Sequence, residues 1–452
     1  MAWSLPRSSI TPQQEKLIGE YLWLQPKAAY GNEVPAKVKA YTADTTNVAL
    51  PFYFGRLLSP NTRVPQLLRQ GVRPWSFKAQ LRPHQIEMVA EVCKFLYYHG
   101  TANLNAYCSA GKTVMGAYAA AWVNAVTTTR GVQAPIIITY TLTVLEKQWL
   151  ETIQNFTDAT IEIVATSQDA LALEGRPVAD IYLCMMESLP QLPEDIRKRC
   201  QMLMVDEAHL FCTGHRLERL LTVEPASILL LTASRVKVNG MEVIMSLLAG
   251  PHATVRIATM PFTVWDYRTG LKPPIVKNAQ GKVDWGKIVD WLVVHPERNR
   301  KILEIVKANP TYTIAIMTTR VPHAEQLYEM LKATGESVGI MCGSRRTYTN
   351  CRVLIGTISK VGVGFDQKAA CADFDGKRIN LLIVAVSTKQ IEQIAGRAFR
   401  ADNPHIVHIV DDGKIFDNHL RECMIWYLQG ERKDKVEVRR TDQVIELPAV
   451  EE

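Results

Sequence analysis

The stretch Ala106-Tyr107-Cys108-Ser109-Ala110-Gly111-Lys112-Thr113 decides how the rest of the chain is interpreted, and a helix-forming run from Val114 to Val123 follows it. Small residues let backbone N–H groups curl around a phosphate, and the helix N-terminus adds the positive end of its dipole. Lys112 would place its charge on the β- and γ-phosphates, and Thr113 would offer a hydroxyl to Mg²⁺. The strict phosphate-loop pattern is broken at Ala106, so an ordinary strand-turn-helix stays open at this point.

A second run, Met202-Leu203-Met204-Val205, is a short apolar strand that leads directly into Asp206-Glu207-Ala208-His209. In a parallel sheet, such a strand presents both acids at its carboxyl edge, where ligands bind. Asp206 is suited to holding Mg²⁺, and Glu207 to orienting and deprotonating an attacking water. Two solvated acids at a turn are the alternative. With a phosphate loop upstream, we favour a nucleoside triphosphate site.

Strand-like apolar runs alternate with helical patterns over most of the chain. The runs are residues 135–140, 180–185, 202–205, 227–231, 312–318, 353–357 and 380–386. This alternation is typical of βαβ units and predicts an α/β fold with parallel sheets.

Three further stretches hold residues that are candidates for the same site. Gln85 opens an amphipathic helix, Ile86 to Tyr98, and its amide could pair with both a donor and an acceptor on adenine. Gly364 and Asp366 lie in a glycine turn that ends in an acid. The tripeptide Thr232-Ala233-Ser234 could hydrogen-bond the acidic pair, although a simple strand-to-turn connection is the default.

The segment Gln393 to Arg400 opens a helix near the end of the second α/β block. Arg397 and Arg400 are three apart and share one helical face, and Gly396 lets that face approach closely. A guanidinium there could stabilise charge on a transferring γ-phosphate. Surface salt bridges are the alternative for both arginines.

Composition limits the class of protein. The 452 residues include 47% hydrophobic and 21% charged residues, and the net charge of +7 follows from 52 Lys+Arg and 45 Asp+Glu. This is a globular composition whose mild basic excess is compatible with a polyanion partner. The nine cysteines form no C-x-x-C pair, which favours a reducing compartment. With no long apolar run and no signal-like N-terminus, we expect an intracellular protein without a membrane span.

These patterns predict five segments. We expect a small basic N-terminal domain over residues 1–75, an ATP-binding domain over 76–255, a connector over 256–300, a second α/β domain over 301–430 and a charged tail over 431–452. In the first segment, basic residues interleaved with aromatics could form a nucleic-acid platform. A core role for most of those aromatics is the favoured alternative.

The motif stretches occur in a fixed order along the chain, at residues 81–85, 106–113, 139–149, 206–209, 232–234, 314–319, 356–366 and 393–400. This series, over roughly residues 77–425, resembles the superfamily 2 helicases of the DEAH/DExH type. Within that superfamily the chain is most similar to UvsW-type phage helicases and to the transcript-release helicases of large DNA viruses. Ser234-Arg235 departs from the usual Thr-Pro.

The resemblance implies two tandem RecA-like domains with a small N-terminal domain, and ATP and Mg²⁺ bound between the lobes. Catalytic roles fall to Lys112, Asp206, Glu207, Gln393, Arg397 and Arg400. Nucleotide contacts fall to Gln85, Ser109, Ala110, Gly111, Lys112, Thr113, Gly364 and Asp366, and metal contacts to Thr113 and Asp206.

The implied partner is nucleic acid, held mainly through backbone phosphates, with DNA favoured over RNA. The implied activity is ATP-dependent translocation, unwinding or annealing, with branch migration or transcript release as specific tasks. Two alternatives remain. One is an RNA helicase or RNA-displacing transcription factor, and the other is a non-catalytic nucleic-acid-binding scaffold.

Overall fold

The computed structural model describes residues 2–27, 35–59, 73–107, 110–126, 134–233, 240–256, 260–279, 281, 283–361, 365, 367–388, 391–396, 398 and 401–450. The chain divides into two compact units, Met1–Arg256 and Ile257–Glu452. Among the described residues, no helix has both the length and the apolar character needed to cross a membrane.

The first unit is built on a seven-stranded sheet in which every neighbouring pair is parallel. Its strands are β6 (Thr101–Ala106), β7 (Ile136–Tyr140), β8 (Ile161–Val164), β9 (Ile181–Met185), β10 (Met202–Val205), β11 (Ser227–Thr232) and β12 (Ala253–Arg256). Their order across the sheet is β12-β6-β11-β10-β7-β9-β8. The central strands are continuous apolar runs because helices cover both faces of the sheet. The carboxyl ends of β6, β11, β10 and β7 therefore lie side by side.

The helices of this unit are α3 (Pro83–His99), α4 (Lys112–Val126), α5 (Thr143–Phe156), α6 (Ser167–Leu171), α7 (Glu194–Arg199), α8 (Gly214–Leu220) and α9 (Val243–Ala249). Helix α3 shows how local sequence sets the bounds. It begins at Pro83, whose missing N–H is harmless in the first turn, and it ends before Gly100, which adopts φ +68°. The predicted start at Ile86 was therefore three residues late.

The N-terminal region contains antiparallel strands. Strands β1 (Ala2–Pro6), β4 (Thr42–Ala43) and β5 (Asn47–Pro51) form one sheet, and β2 (Trp23–Leu24) pairs with β3 (Val38–Lys39). Helices α1 (Pro12–Tyr21) and α2 (Phe52–Leu58) complete it. Its buried side chains, such as Leu22 and Phe52, belong to the same hydrophobic core as Leu203 and Leu230 of the large sheet. This region therefore folds as part of the first unit.

The second unit contains another seven-stranded, fully parallel sheet. The strands are β13 (Phe262–Arg268), β14 (Ile314–Thr318), β15 (Val338–Met341), β16 (Val353–Thr357), β17 (Leu381–Val384), β18 (His405–Val410) and β19 (Val436–Thr441). Their order across the sheet is β15-β16-β14-β17-β18-β13-β19. The helices are α10 (Trp285–Val294), α11 (Pro296–Ala308), α12 (Val321–Lys332), α13 (Ile358–Val361), α14 (Gln367–Ala370), α15 (Glu392–Ala395) and α16 (Lys414–Tyr427). The predicted architecture of two parallel sheets flanked by helices is confirmed.

Two strands of this sheet fall in segments that the sequence presented as connector and tail. Strand β13 lies within residues 256–300 and β19 within residues 431–452. Strand β19 is largely exposed because it forms the edge of the sheet. Ile445, beyond β19, is buried in the core of the unit. The predicted tail therefore contributes an edge strand and a buried side chain to the second unit.

Candidate nucleotide site

The candidate phosphate loop connects β6 to α4. Lys112 Nζ donates to the carbonyl oxygen of Ala106 at 3.2 Å, so the ammonium already points back across the loop. Gly111 has φ +84°, a conformation that favours glycine, and a side chain built there would collide with the Gln85 amide. Ala110 is fully buried. The predicted Ser109 lies outside the described residues.

Gln85 joins helix α3 to this loop. Its side-chain oxygen accepts from the backbone N–H of Arg82 at 2.9 Å, and its Nε2 donates to the carbonyl oxygen of Ala110 at 3.0 Å. A carboxamide has two donor hydrogens and two acceptor lone pairs, so one of each is left. The contact with adenine stays a prediction. The structure adds a second role for Gln85, because its amide holds the loop backbone in place.

The acidic pair follows β10 at the same edge of the sheet. Asp206 Oδ1 accepts the backbone N–H of Glu207 at 2.8 Å, and the backbone N–H of Asp206 donates to the Thr139 carbonyl at 3.0 Å. Glu207 has φ +49°, an uncommon value for a non-glycine residue and one that is concentrated at functional sites. Burial and the neighbouring Glu207 carboxylate raise the pKa of Asp206 to about 6, and Lys112 opposes that rise. The positive charge of Lys112 therefore lies close enough to Asp206 to stabilise its ionised form.

Glu207 is linked to the end of β11 through His209. Glu207 Oε2 lies 3.3 Å from His209 Nδ1, and the same nitrogen is 3.0 Å from Thr232 Oγ1. Glu207 Oε2 is buried and has no hydrogen-bond partner within the described part of the chain. We expected Thr232 to reach the acids directly. Its hydroxyl contacts the imidazole of His209, which itself lies beside Glu207, and Ser234 lies outside the described residues.

Helix α5 supplies two contacts that sequence reasoning did not identify. Trp149 Nε1 donates to Asp206 Oδ2 at 2.8 Å, and Gln148 Nε2 donates to Thr113 Oγ1 at 3.1 Å. Both residues lie in the motif stretch 139–149, but nothing in the local pattern shows which way they point. The sequence offered one signal for Trp149, because a buried indole N–H usually donates a hydrogen bond to some acceptor.

In the second unit, the structure leaves most of the predicted site residues untested. Gly364, Asp366, Arg397 and Arg400 lie outside the described residues, and Gln393 is described only as part of the backbone of α15. Their roles therefore stay predictions.

A buried ion pair that sequence reasoning missed lies at the carboxyl edge of the second sheet. Arg298 Nε contacts both carboxylate oxygens of Asp411, at 3.1 and 2.9 Å, and Arg298 Nη1 donates to the Ala385 carbonyl at 3.0 Å. Thr269 Oγ1 also donates to Asp411, at 2.8 Å. These contacts tie α11 to the ends of β13, β17 and β18.

The described residues of the first unit fit a nucleotide with Mg²⁺. Mg²⁺ prefers oxygen donors, and Thr113 and Asp206 supply a hydroxyl and a carboxylate. Glu207 adds a buried carboxylate oxygen that lacks a hydrogen-bond donor. Lys112 supplies the cation for phosphate oxygens, and the glycine at position 111 leaves the loop backbone free of a side chain.

Comparison with known proteins agrees with this geometry. Residues 78–235 match the family described as type III restriction enzyme, res subunit. The helicase candidate 161L of Invertebrate iridescent virus 6 is 25% identical over 381 residues, which cover 78% of this chain and 81% of that protein.

Two solved structures also match this chain. The structure of S. cerevisiae Dbp5 has a TM-score of 0.50 at 15% identity and covers 80% of this chain and 94% of its own. The structure of T4 UvsW covers 96% of both chains at 15% identity, with a TM-score of 0.39 that is too low to carry an argument. The ordered motifs, the two parallel sheets and the viral relative agree in one respect: the chain is similar to helicases of superfamily 2.

Proposed function

We propose that this protein is an ATP-driven DNA helicase or translocase whose hydrolytic residues are Lys112, Thr113, Asp206 and Glu207. One observation carries the proposal. The phosphate loop and the acidic pair meet at the carboxyl edge of one parallel sheet, close enough for the charge of Lys112 to oppose the rise in the pKa of Asp206 that burial and Glu207 cause.

Each of these side chains has a definite task. Lys112 exchanges the Ala106 carbonyl for phosphate oxygens, which are stronger acceptors because they are charged. Thr113 and Asp206 would hold Mg²⁺, which neutralises charge on the β- and γ-phosphates when bound. Glu207 orients the attacking water and takes its proton, and its buried Oε2, which lies 3.3 Å from His209 Nδ1 but receives no hydrogen bond from the described residues, is suited to that task. The proposed roles of Gln85, Ser109, Gly364, Asp366, Gln393, Arg397 and Arg400 rest on the motif resemblance alone.

We favour DNA as the substrate because the motif series resembles that of UvsW-type phage helicases and of the transcript-release helicases of large DNA viruses, a resemblance that implies DNA, with branch migration and transcript release as candidate tasks. The test is phosphate release measured with single-stranded DNA, duplex DNA, a DNA fork, single-stranded RNA and an RNA–DNA hybrid. The proposal predicts that a DNA ligand stimulates turnover at least about tenfold more than RNA, a difference of about 1.4 kcal/mol in transition-state stabilisation. Stimulation by RNA alone would favour the RNA helicase. No phosphate release with any ligand would favour a non-catalytic scaffold.

The N-terminal region is proposed as an accessory nucleic-acid surface. Phe52 is buried, but the rings of Tyr21 and Trp23 are 54% and 44% exposed. Lys39 Nζ lies 4.4 Å from the centre of the Tyr41 ring, and Lys39 pairs directly across from Trp23 on the β2–β3 hairpin. Exposed rings beside lysines can stack bases and neutralise phosphates.

The test of this surface is single-stranded DNA affinity by fluorescence anisotropy. If one base stacks on Trp23, the Trp23→Ala variant should bind single-stranded DNA about 5- to 100-fold more weakly than wild type. Leu57→Ala is the control, because Leu57 is 60% exposed in the same region but has no aromatic ring. Equal affinities for the two variants would rule out stacking at Trp23.

We also propose that the protein acts within an infected host cell. The similarity to 161L of Invertebrate iridescent virus 6 supports this setting. Its test is the location of the tagged protein in infected cells. Recovery of the protein only outside cells would contradict it.

A further inference from the structure

Trp149 is held rigidly between helix α4 and the sheet. Its side chain is fully buried in the core cluster that also contains Met204 and Leu231. A Cβ built on Gly116 of α4 would lie 2.8 Å from Trp149 Cη2 and 3.0 Å from Met204 Sδ. The absence of a side chain at Gly116 therefore makes room for the indole, and close packing restricts its rotation.

The bond from this indole fixes one carboxylate. Trp149 Nε1 donates to Asp206 Oδ2 at 2.8 Å, while Oδ1 of the same carboxylate accepts the backbone N–H of Glu207. Each carboxylate oxygen keeps a further lone pair, so both can still bind a metal or its water shell. An indole is neutral and only a donor, so it orients Asp206 without pairing its charge.

The neighbouring residue on α5 makes the equivalent contact to the other candidate metal ligand. Gln148 Nε2 donates to Thr113 Oγ1 at 3.1 Å. A hydroxyl oxygen has two lone pairs, so it can accept from Gln148 and still face Mg²⁺. Two consecutive side chains of one helix thus reach the first helical turn after the phosphate loop and the acid at the end of β10.

We propose that α5 sets the geometry of the Mg²⁺ site, with Trp149 as the positioning residue for Asp206 and Gln148 as the positioning residue for Thr113. This inference rests on the proposed nucleotide site. Residues that hold metal ligands by hydrogen bonds typically contribute about 10- to 100-fold to metal affinity. Their loss should therefore weaken the Mg²⁺-dependent part of nucleotide binding and leave the metal-free part intact.

The experiment measures binding of fluorescent mant-ADP to the full chain, in EDTA and across a Mg²⁺ titration. Trp149→Phe keeps an aromatic ring and removes the N–H. We expect its half-saturating Mg²⁺ concentration to rise about tenfold or more, with mant-ADP affinity in EDTA within about twofold of wild type. Trp75→Phe is the matched control, because Trp75 is buried in the same core cluster, and it should behave as wild type.

Two results overturn the inference. One is an unchanged Mg²⁺ midpoint in Trp149→Phe, and the other is an equal loss of affinity with and without Mg²⁺, which would indicate a packing role. If Trp149→Phe does not fold, the Gln148→Met variant tests the proposal instead. Gln148 lies on the exposed side of α5, so its replacement should not disturb folding. Its Mg²⁺ midpoint should rise, and an unchanged midpoint contradicts the proposal. A wild-type chain that binds no mant-ADP in either condition would instead overturn the proposed function itself.

Discussion

Thr232 Oγ1 lies 3.0 Å from His209 Nδ1, so the end of β11 is connected to the acidic stretch by a side-chain contact. The same imidazole nitrogen is 3.3 Å from Glu207 Oε2. A movement at the end of β11 would therefore change the surroundings of the proposed general base. These contacts connect Thr232, the first residue of the motif at 232–234, to the residue that we propose activates the attacking water.

Replacing Thr232 by valine should uncouple this path while preserving the shape of the side chain. We expect nucleic-acid-stimulated phosphate release to fall about fivefold, as the loss of a hydrogen bond of about 1 kcal/mol implies, and unstimulated release to fall less. Thr254→Val is the control, because the Thr254 hydroxyl is buried without a hydrogen-bond partner among the described residues. Equal stimulation in the Thr232 and Thr254 variants would show that the contact is not used.

Gly111 should not tolerate a side chain. Its φ of +84° costs a non-glycine residue about 1–2 kcal/mol, and a Cβ would displace the Gln85 amide from the loop. We expect Gly111→Ala to weaken mant-ADP binding by more than about tenfold, as measured by fluorescence titration. Gly19→Ala is the matched control, since nothing lies within 4 Å of a Cβ at that position in α1. Wild-type affinity in Gly111→Ala would contradict the assigned loop geometry.

The second unit should lose stability in mild acid because of buried histidines. Burial lowers the pKa of His408 to about 4, and burial together with Arg298 lowers the pKa of His323 to about 3. An unfolded histidine titrates near 6.5, so between about pH 6.5 and pH 4 the unfolded state binds more protons. The free energy of unfolding should therefore fall as the pH falls, by at most about 1.4 kcal/mol per pH unit for each histidine.

Urea unfolding at pH 7 and pH 5 measures this effect. His408→Gln removes one titrating histidine and should make the pH dependence shallower, even though it also loses the 2.9 Å bond between His408 and the Tyr427 hydroxyl. The slope, and not the absolute stability, is the test. An unchanged slope in the variant would show that His408 does not titrate in this window.

The C-terminal end should contribute to the stability of the second unit. Asn309 Nδ2 donates to the Ile445 carbonyl at 2.8 Å, and Asn309 Oδ1 accepts the backbone N–H of Leu447 at 2.9 Å. Removing a buried side chain with two such bonds should lower the free energy of unfolding by about 1–3 kcal/mol in Asn309→Ala, as measured by urea denaturation. Gln443→Ala, at an exposed position of the same segment, should have little effect. Equal stability of the two variants would mean that the end does not dock in solution.

The sequence was a good guide wherever a local pattern carries the information. Strand β10 was predicted with its observed bounds because four apolar residues run directly into two acids. Strand β19 was missed because an edge strand is half exposed, and its alternating charges look like a solvated tail. Strand β13 was missed for a similar reason, since it lies between proline-rich stretches.

The candidate site likewise contains residues that the sequence predicted and contacts that it could not predict. The residue types of Lys112, Thr113, Asp206 and Glu207 indicate their chemistry, and the parallel sheet brings them to one edge. The contacts of Trp149 and Arg298 could not be predicted, because their partners are distant in sequence and depend on how α5 and α11 pack. Long-range hydrogen bonds leave no local periodicity from which to read them.

The most direct test of the central account is phosphate release by Glu207→Gln beside wild type, at saturating ATP and single-stranded DNA, with mant-ADP affinity measured on the same samples. Glutamine keeps the size of the side chain and cannot take a proton from water. General-base catalysis typically contributes about 10²–10⁴-fold, so we predict a fall of at least about 100-fold in turnover with nucleotide affinity retained. Wild-type turnover in Glu207→Gln would contradict the assignment of this acidic pair as the hydrolytic centre.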